Sequence, residues 1–259
     1  MEVMRGERTP YRVAVEDIEP QHFVCWVLDL PGCFSSERDL RAAVAGAPAA
    51  IADYYAWIKR KDPSLPVVTG PFEVAVVEEF QAHPSSEGPD YLVNGFFDDD
   101  GRPLAYWEVA GAFRLLDWSR QDLLKVVAAL SPQELRQPVH DEDRGTIAGV
   151  LDHVAGAENW YFDQLDRSVP RSALPEGVFE RLETVRTNSR RQLVRLIGDG
   201  RIAEHLGERW SARKVLRRML WHERDHTQHI AQLVRRLRRQ GWVEDPNGHA
   251  VRTTERSEE

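Results

Sequence analysis

The sequence predicts an α+β module followed by an all-α four-helix bundle, and three observations carry that prediction. Within the first hundred of 259 residues, the runs YRVAVEDIE, HFVCWVLDL and FEVAVVEEF are alternating or continuously apolar, as strands are, and they surround one alanine-rich stretch. Beyond residue 103 nothing strand-like recurs, and four segments place apolar residues at helical spacing. The last of these segments carries His222 and His226 inside its apolar stripe, where a soluble helix would normally bury leucine.

Taken in order, the first two strand-like runs lead into SERDLRAAVAGAPAAIADYYAWIKRK, a helix for which Ser36 is the expected N-cap and which Gly46 and Pro48 are expected to split or kink. The third run follows a Pro-rich break. Turn formers and charge then displace periodicity at HPSSEGPD (83–90) and DDDGRP (98–103), which puts the boundary there. The module is therefore read as residues 1–98, the bundle as 99–243, and 244–259 as a polar tail expected to be disordered. The four helices are expected at 104–130, 145–166, 175–198 and 211–240, with starts at Thr146, at Pro175 and Glu176, and at Ser211.

Composition narrows the class. The chain is long enough to bury a core without staples, and its two cysteines, Cys25 and Cys33, lie close together and far from the histidine helix, which argues against a disulfide framework and a Cys-based zinc ribbon. Cys33 is expected to be structural. The N-terminus has no apolar leader and no run is long enough to span a bilayer, so a cytoplasmic protein without membrane contact is expected. The net charge of −8 is concentrated in the first hundred residues, which disfavours general nucleic-acid binding. Arg235, Arg236, Arg238 and Arg239 read as the solvated face of the last helix.

On that helix Val215, Met219, His222, His226, Ile230, Leu233 and Leu237 share one side, with His229 a turn further on. Buried imidazoles without partners each cost roughly 1 to 3 kcal/mol, and a shared metal ion removes that cost most economically. Two ligands on one helix leave the geometry unspecified, so a third must come from another helix. His153, at the edge of the apolar arc of Ile147, Val150, Val154, Ala157 and Tyr161, is the best candidate, and Gly149 and Gly156 leave room beside it. Asp152 and Asp225, adjacent to ligands, and Glu158, one turn on, are candidates to orient imidazole N–H groups. Trp160, Tyr161, Trp210 and Trp221 are candidate pocket walls.

His222, Glu223 and His226 also spell HExxH, in which the glutamate of a zinc peptidase is general base. The longer metzincin pattern wants Gly at 229 and His at 232, where this chain has His229 and Gln232. A gluzincin needs a glutamate on a later helix, and only Glu244 and the tail follow. The peptidase is therefore a minor alternative.

The strings LDHVAGAENWYF and WSARKVLRRMLWHERDHTQHIAQL, with one histidine on the second helix and H-x-x-x-H on the fourth, resemble the DinB-like (YfiT-like) superfamily over about residues 104–240. The resemblance implies that His153, His222 and His226 hold a divalent ion, zinc or nickel, with water or substrate completing the shell. It implies a metal-dependent transferase or isomerase using a small thiol such as mycothiol, bacillithiol or glutathione, or a related hydrolase. Where that family often has glutamine this chain has His229, which the sequence leaves open as fourth ligand, proton carrier or outer donor.

VLDLPGCFSSERDLRAAVAGAPAAI resembles the HicB-like antitoxin module over about residues 10–60, which implies a small antiparallel sheet plus helix of the kind that binds a protein partner. Pro31 and Gly32 fix a turn that lets the strand feed the helix. No DNA-binding segment follows, so a borrowed scaffold is the reading. The expectation is thus a metal-dependent enzyme on a small-molecule substrate, a homodimer, with a non-catalytic binding or stress-response module as the alternative.

Overall fold

The computed structural model describes residues 9–243, so the tail expected to be disordered lies outside the described residues. The chain opens with β1 (Tyr11–Glu19), β2 (His22–Val27), β3 (Phe34–Glu37), α1 (Leu40–Lys61) and β4 (Val74–Gln81), whose strands form one sheet in the order β3-β2-β1-β4. β1 and β2 are antiparallel, as are β2 and β3, but β4 runs parallel to β1. The sheet is therefore mixed, which corrects the expected antiparallel one. The reason is the crossover: α1 traverses the sheet between β3 and β4 and returns the chain to the end where β1 begins.

α1 covers one sheet face, burying Val13, Val15, Cys25, Val27 and Cys33 against Ala43, Ala47, Ile51, Tyr54 and Trp57. Both cysteines are free and buried. Asp39, not Ser36, caps the helix, its carboxylate accepting from Ala42 N at 2.8 Å. Ser36 belongs to β3, where its hydroxyl meets His22 Nε2 at 2.8 Å. The helix runs through Gly46 and Pro48 undivided. The turn after β2 is closed by Cys33 N donating to Leu30 O at 2.8 Å, with Gly32 at φ +77°. It feeds β3 before the helix, a strand the sequence did not set apart.

The other sheet face is buried too. Ala14, Ile18, Val24 and Trp26 meet Phe97 and Trp221, with the Trp26 and Trp221 rings 5.2 Å apart. Two short strands, β5 (His83–Pro84) and β6 (Leu92–Val93), pair across the first turn-rich patch. The second patch, a 3-10 turn at Asp98–Gly101, is built into the fold: Asp100 is buried and accepts from Arg217 Nη2 at 2.6 Å.

Four long helices follow, α2 (Tyr106–Val127), α4 (Ile147–Asp163), α5 (Val178–Arg195) and α6 (Ala212–Arg239), with a one-turn α3 (Pro132–Leu135) between the first two. α4 packs on α5 and α6, and α2 on α6 and α5. Thr146 and Ser211 cap their helices as expected, accepting from Gly149 N at 2.9 Å and Lys214 N at 3.1 Å, while α5 starts after Gly177. A hairpin of β7 (Ala203–His205) and β8 (Glu208–Trp210) precedes α6, contrary to the expectation that nothing strand-like recurs. Three-residue strands are too short to show periodicity. What fixes this hairpin is its turn, with Leu206 and Gly207 both at positive φ, and the buried pairing of Glu208 with Lys214 at 2.6 Å.

The helices enclose two apolar clusters. One gathers Leu123, Val127, Val150, Leu151, Ile230 and Leu233; the other gathers Leu116, Phe162, Leu193, Trp210, Val215 and Met219. Between them α2, α4, α5 and α6 each contribute charged or imidazole side chains, so the helical region has a polar waist, and the candidate site lies in it.

Candidate metal centre

α4 places His153 opposite His222 and His226 of α6. The ligand-capable nitrogens of the three imidazoles all lie within 4.8 Å of one another, and among the described residues this is the one such cluster of His, Cys, Asp or Glu. Nε2 of His153 and Nε2 of His222 are 3.0 Å apart. Ring centroids are 4.8 Å apart for His153 and His222, 4.9 Å for His153 and His226, and 4.3 Å for His222 and His226. The one-turn spacing of 222 and 226 along α6 puts both rings on the face that α4 meets.

Burial holds all three imidazoles neutral. It lowers His153 to about 4, with Arg144 adding to the effect, and His226 to about 3, with His153 next in importance; His222 falls well below its ordinary value from burial and the two neighbouring rings. Neutral imidazole is the form that ligates metal. His226 Nδ1 is buried without a hydrogen-bond partner, and no carboxylate bonds to the trio among the described residues. Two nitrogens sharing one ion at about 2.1 Å stand about 3.0 to 3.4 Å apart, which is where His153 and His222 place theirs. The residues present fit a divalent ion.

The other sequence candidates go elsewhere. His229 Nε2 lies 2.9 Å from Glu142 Oε2, and its ring centroid is 5.8 Å from that of His226, so the loop before α4 takes it instead of the trio. Asp152 pairs with Arg181. Asp225 is half-buried, its carboxyl raised by burial against the lowering pull of His22 and His229, and it makes no hydrogen bond to an imidazole of the trio. Glu158 accepts from Arg186 Nε at 2.9 Å and Nη2 at 2.8 Å. Gly149 serves the loop backbone and not a pocket: a Cβ there would sit on the Arg144 carbonyl oxygen. Tyr161 and Trp221 flank His222 with ring centroids at 5.9 and 5.7 Å, whereas Trp210 and Trp160 stand a layer behind.

Glu223, the glutamate of HExxH, is buried beside Glu158 and binds two guanidinium groups, from Arg186 at 2.5 Å and from Arg120. Burial would raise the Glu158 carboxyl, but Arg186 and Arg120 overcome it and hold it low. Both oxygens of Glu223 are thus taken. The arginines escaped the sequence reading, yet the signal is there: Arg120 interrupts the stripe Leu116, Leu123, Val127, and Arg186 the stripe Leu182, Val185, Leu193.

Residues 115–230 match the family model described as the DinB superfamily. The match bears out the DinB-like resemblance over that stretch, which contains all three histidines. No curated protein and no solved structure matches the chain. Among the described residues no helix is long and apolar enough to cross a membrane.

Proposed function

We propose that the protein is a metal-dependent enzyme of DinB-like character that acts on a small molecule, with His153, His222 and His226 as ligands of zinc or nickel and thiol-dependent transfer or a related hydrolysis as its reaction. The observation that carries this reading is the convergence of three neutral imidazoles, one buried and two half-buried, from two helices with no carboxylate among them. An ion held by three imidazoles keeps an open position and lowers the pKa of a thiol or water bound there, supplying a nucleophile at neutral pH. The chain itself supplies little acid or base chemistry at this place. Glu223 is locked between arginines, and Tyr161 and Trp221 keep one flank of His222 apolar. This arrangement favours thiol or water activation over the HExxH peptidase, whose glutamate must be free to take a proton.

In the same reading the HicB-like module spans residues 1–98, the four long helices form a DinB-like bundle, and the protein is a cytoplasmic homodimer. The order of turn, strand and alanine-rich helix at residues 28–61 supports the HicB-like likeness. The test is metal content by elemental mass spectrometry on protein purified without chelator or affinity nickel, followed by a thiol screen. About one equivalent in the native chain and none in His153→Ala is expected. Metal retained by His153→Ala would return the ligands to α6 alone, and none in either protein would make the alternative, a binding module, the better reading.

A further inference from the structure

Two cavities of about 500 and about 300 Å³ adjoin on the side of α6 away from the histidines, sharing Trp57, Arg60 and Asp122. α6 lends Arg224, Thr227 and Gln228 to the smaller and Ala231, Val234, Arg235 and Arg238 to the larger. Their spacing of three and four puts them on one helix face about 21 Å long at 1.5 Å per residue. Arg224 is two residues from both His222 and His226, about 200° around the helix, so this face is distinct from the metal centre.

Arg224 has no ion-pair partner among the described residues. Its Nε and Nη1 are shielded from solvent without a hydrogen bond, and its guanidinium lies 4.0 Å over the Trp57 ring. Ser119 Oγ, lining the same cavity, is likewise buried and unpartnered, as is Nε of Arg238 at the far end. Two N–H nitrogens shielded from water without a hydrogen bond are unfavourable, and stacking on the Trp57 ring offsets only part of that in a side chain that is otherwise half-buried. The two acids nearby do not resolve this. Asp122 accepts from Trp57 Nε1 at 2.7 Å and Lys61 Nζ at 2.6 Å, and Asp53 is exposed and makes no ion pair with Arg224. Arg60, Lys125 and Arg235 on the groove walls also lack ion-pair partners among the described residues, so a positive groove stands out on a chain of net charge −8.

We propose that this groove between α1, α2 and α6 binds a small polyanion, with one phosphate or carboxylate group held by Arg224 and Ser119 and the remaining negative charge along Arg60, Arg235 and Arg238. A guanidinium fork matches either oxyanion with two parallel hydrogen bonds. Shielding from solvent strengthens that contact at the buried end, and the exposed cations add attraction that salt screens.

The test is isothermal titration of the full chain with inorganic tripolyphosphate and, separately, citrate, at low and moderate salt. The native chain, His153→Ala, Arg224→Met and Arg238→Gln are compared. Expected is binding of at least one probe that weakens with salt, is the same in His153→Ala, and falls about tenfold or more in Arg224→Met and severalfold in Arg238→Gln. The stronger probe identifies the oxyanion. Without ligand Arg224→Met is expected to melt at or above the native temperature, because two shielded, unbonded N–H nitrogens have been removed; if it fails to fold, Arg238→Gln alone decides. Undiminished binding in Arg224→Met and Arg238→Gln overturns the proposal. So does binding lost in His153→Ala, which would be chelation at the histidines, preference for duplex DNA over both probes, or no binding of either probe at low salt.

Discussion

Glu223 Oε2 lies 2.5 Å from Arg186 Nη2, in the dry waist of the helical region, although Glu223 is the neighbour in sequence of His222. One residue on a helix is a turn of about 100°, enough to send the imidazole toward α4 and the carboxylate toward α2 and α5. The same short stretch of α6 therefore serves two polar systems: three neutral imidazoles, and a closed set of two carboxylates and two guanidiniums.

Removing one member of that set leaves a buried cation uncompensated. Glu223→Gln is expected to lower unfolding stability by about 3 kcal/mol, measured by urea denaturation, while keeping its metal. Loss of metal at native stability would show that Glu223 serves the histidines instead.

His229 is held by Glu142 and stands apart from the trio. His229→Ala is expected to keep the bound metal and His226→Ala to lose it, as read by elemental mass spectrometry. Equal loss in both would make His229 a ligand.

The protein stripped of metal by chelator should lose stability in acid. His153 and His226 are held at about 4 and about 3 when folded, but each titrates near 6.5 when unfolded. Between those values the unfolded chain binds more protons, so stability is complete above about pH 6.5 and falls as pH drops toward 4 and then 3. The slope is at most about 1.4 kcal/mol per pH unit for each imidazole, and partial exposure of His153 to solvent reduces its share. His153→Phe should flatten that slope, and chemical denaturation across pH 4 to 7 checks it.

Gly32 couples the two halves of the chain. Its φ is +77°, and a Cβ added to it would come within 3.2 Å of Leu220 Cβ, a contact tight enough that α6 would have to give by a few tenths of an ångström. Gly32→Ala is expected to cost about 2 kcal/mol, from left-handed strain plus displacement of α6. A urea midpoint equal to the native one would refute the contact.

The periodicities that place strands at 11–19 and 74–81 and helices within a few residues of their ends are local, and so are the Thr146 and Ser211 caps; each depends on neighbours in sequence, and all were legible there. His153 could be named because it lies on an apolar arc that must face another helix. Its partners could not be ranked by adjacency. Asp152, Asp225 and Glu158 sit near the clustered histidines in sequence, yet Arg181 and Arg186 claim two of them and the third makes no bond to the trio. A side chain reaches whatever the packing brings within about 3 Å, and periodicity gives its direction but not its partner. The sequence by itself determined the longer elements, β1, β2, β4 and the five long helices, and singled out the three histidines that meet. Tertiary structure alone decided the parallel β4, the arginine lock on Glu223, the Glu142 hold on His229 and the docking of the sheet on Trp221, because each joins residues far apart in the chain whose meeting depends on how the helices and sheet pack.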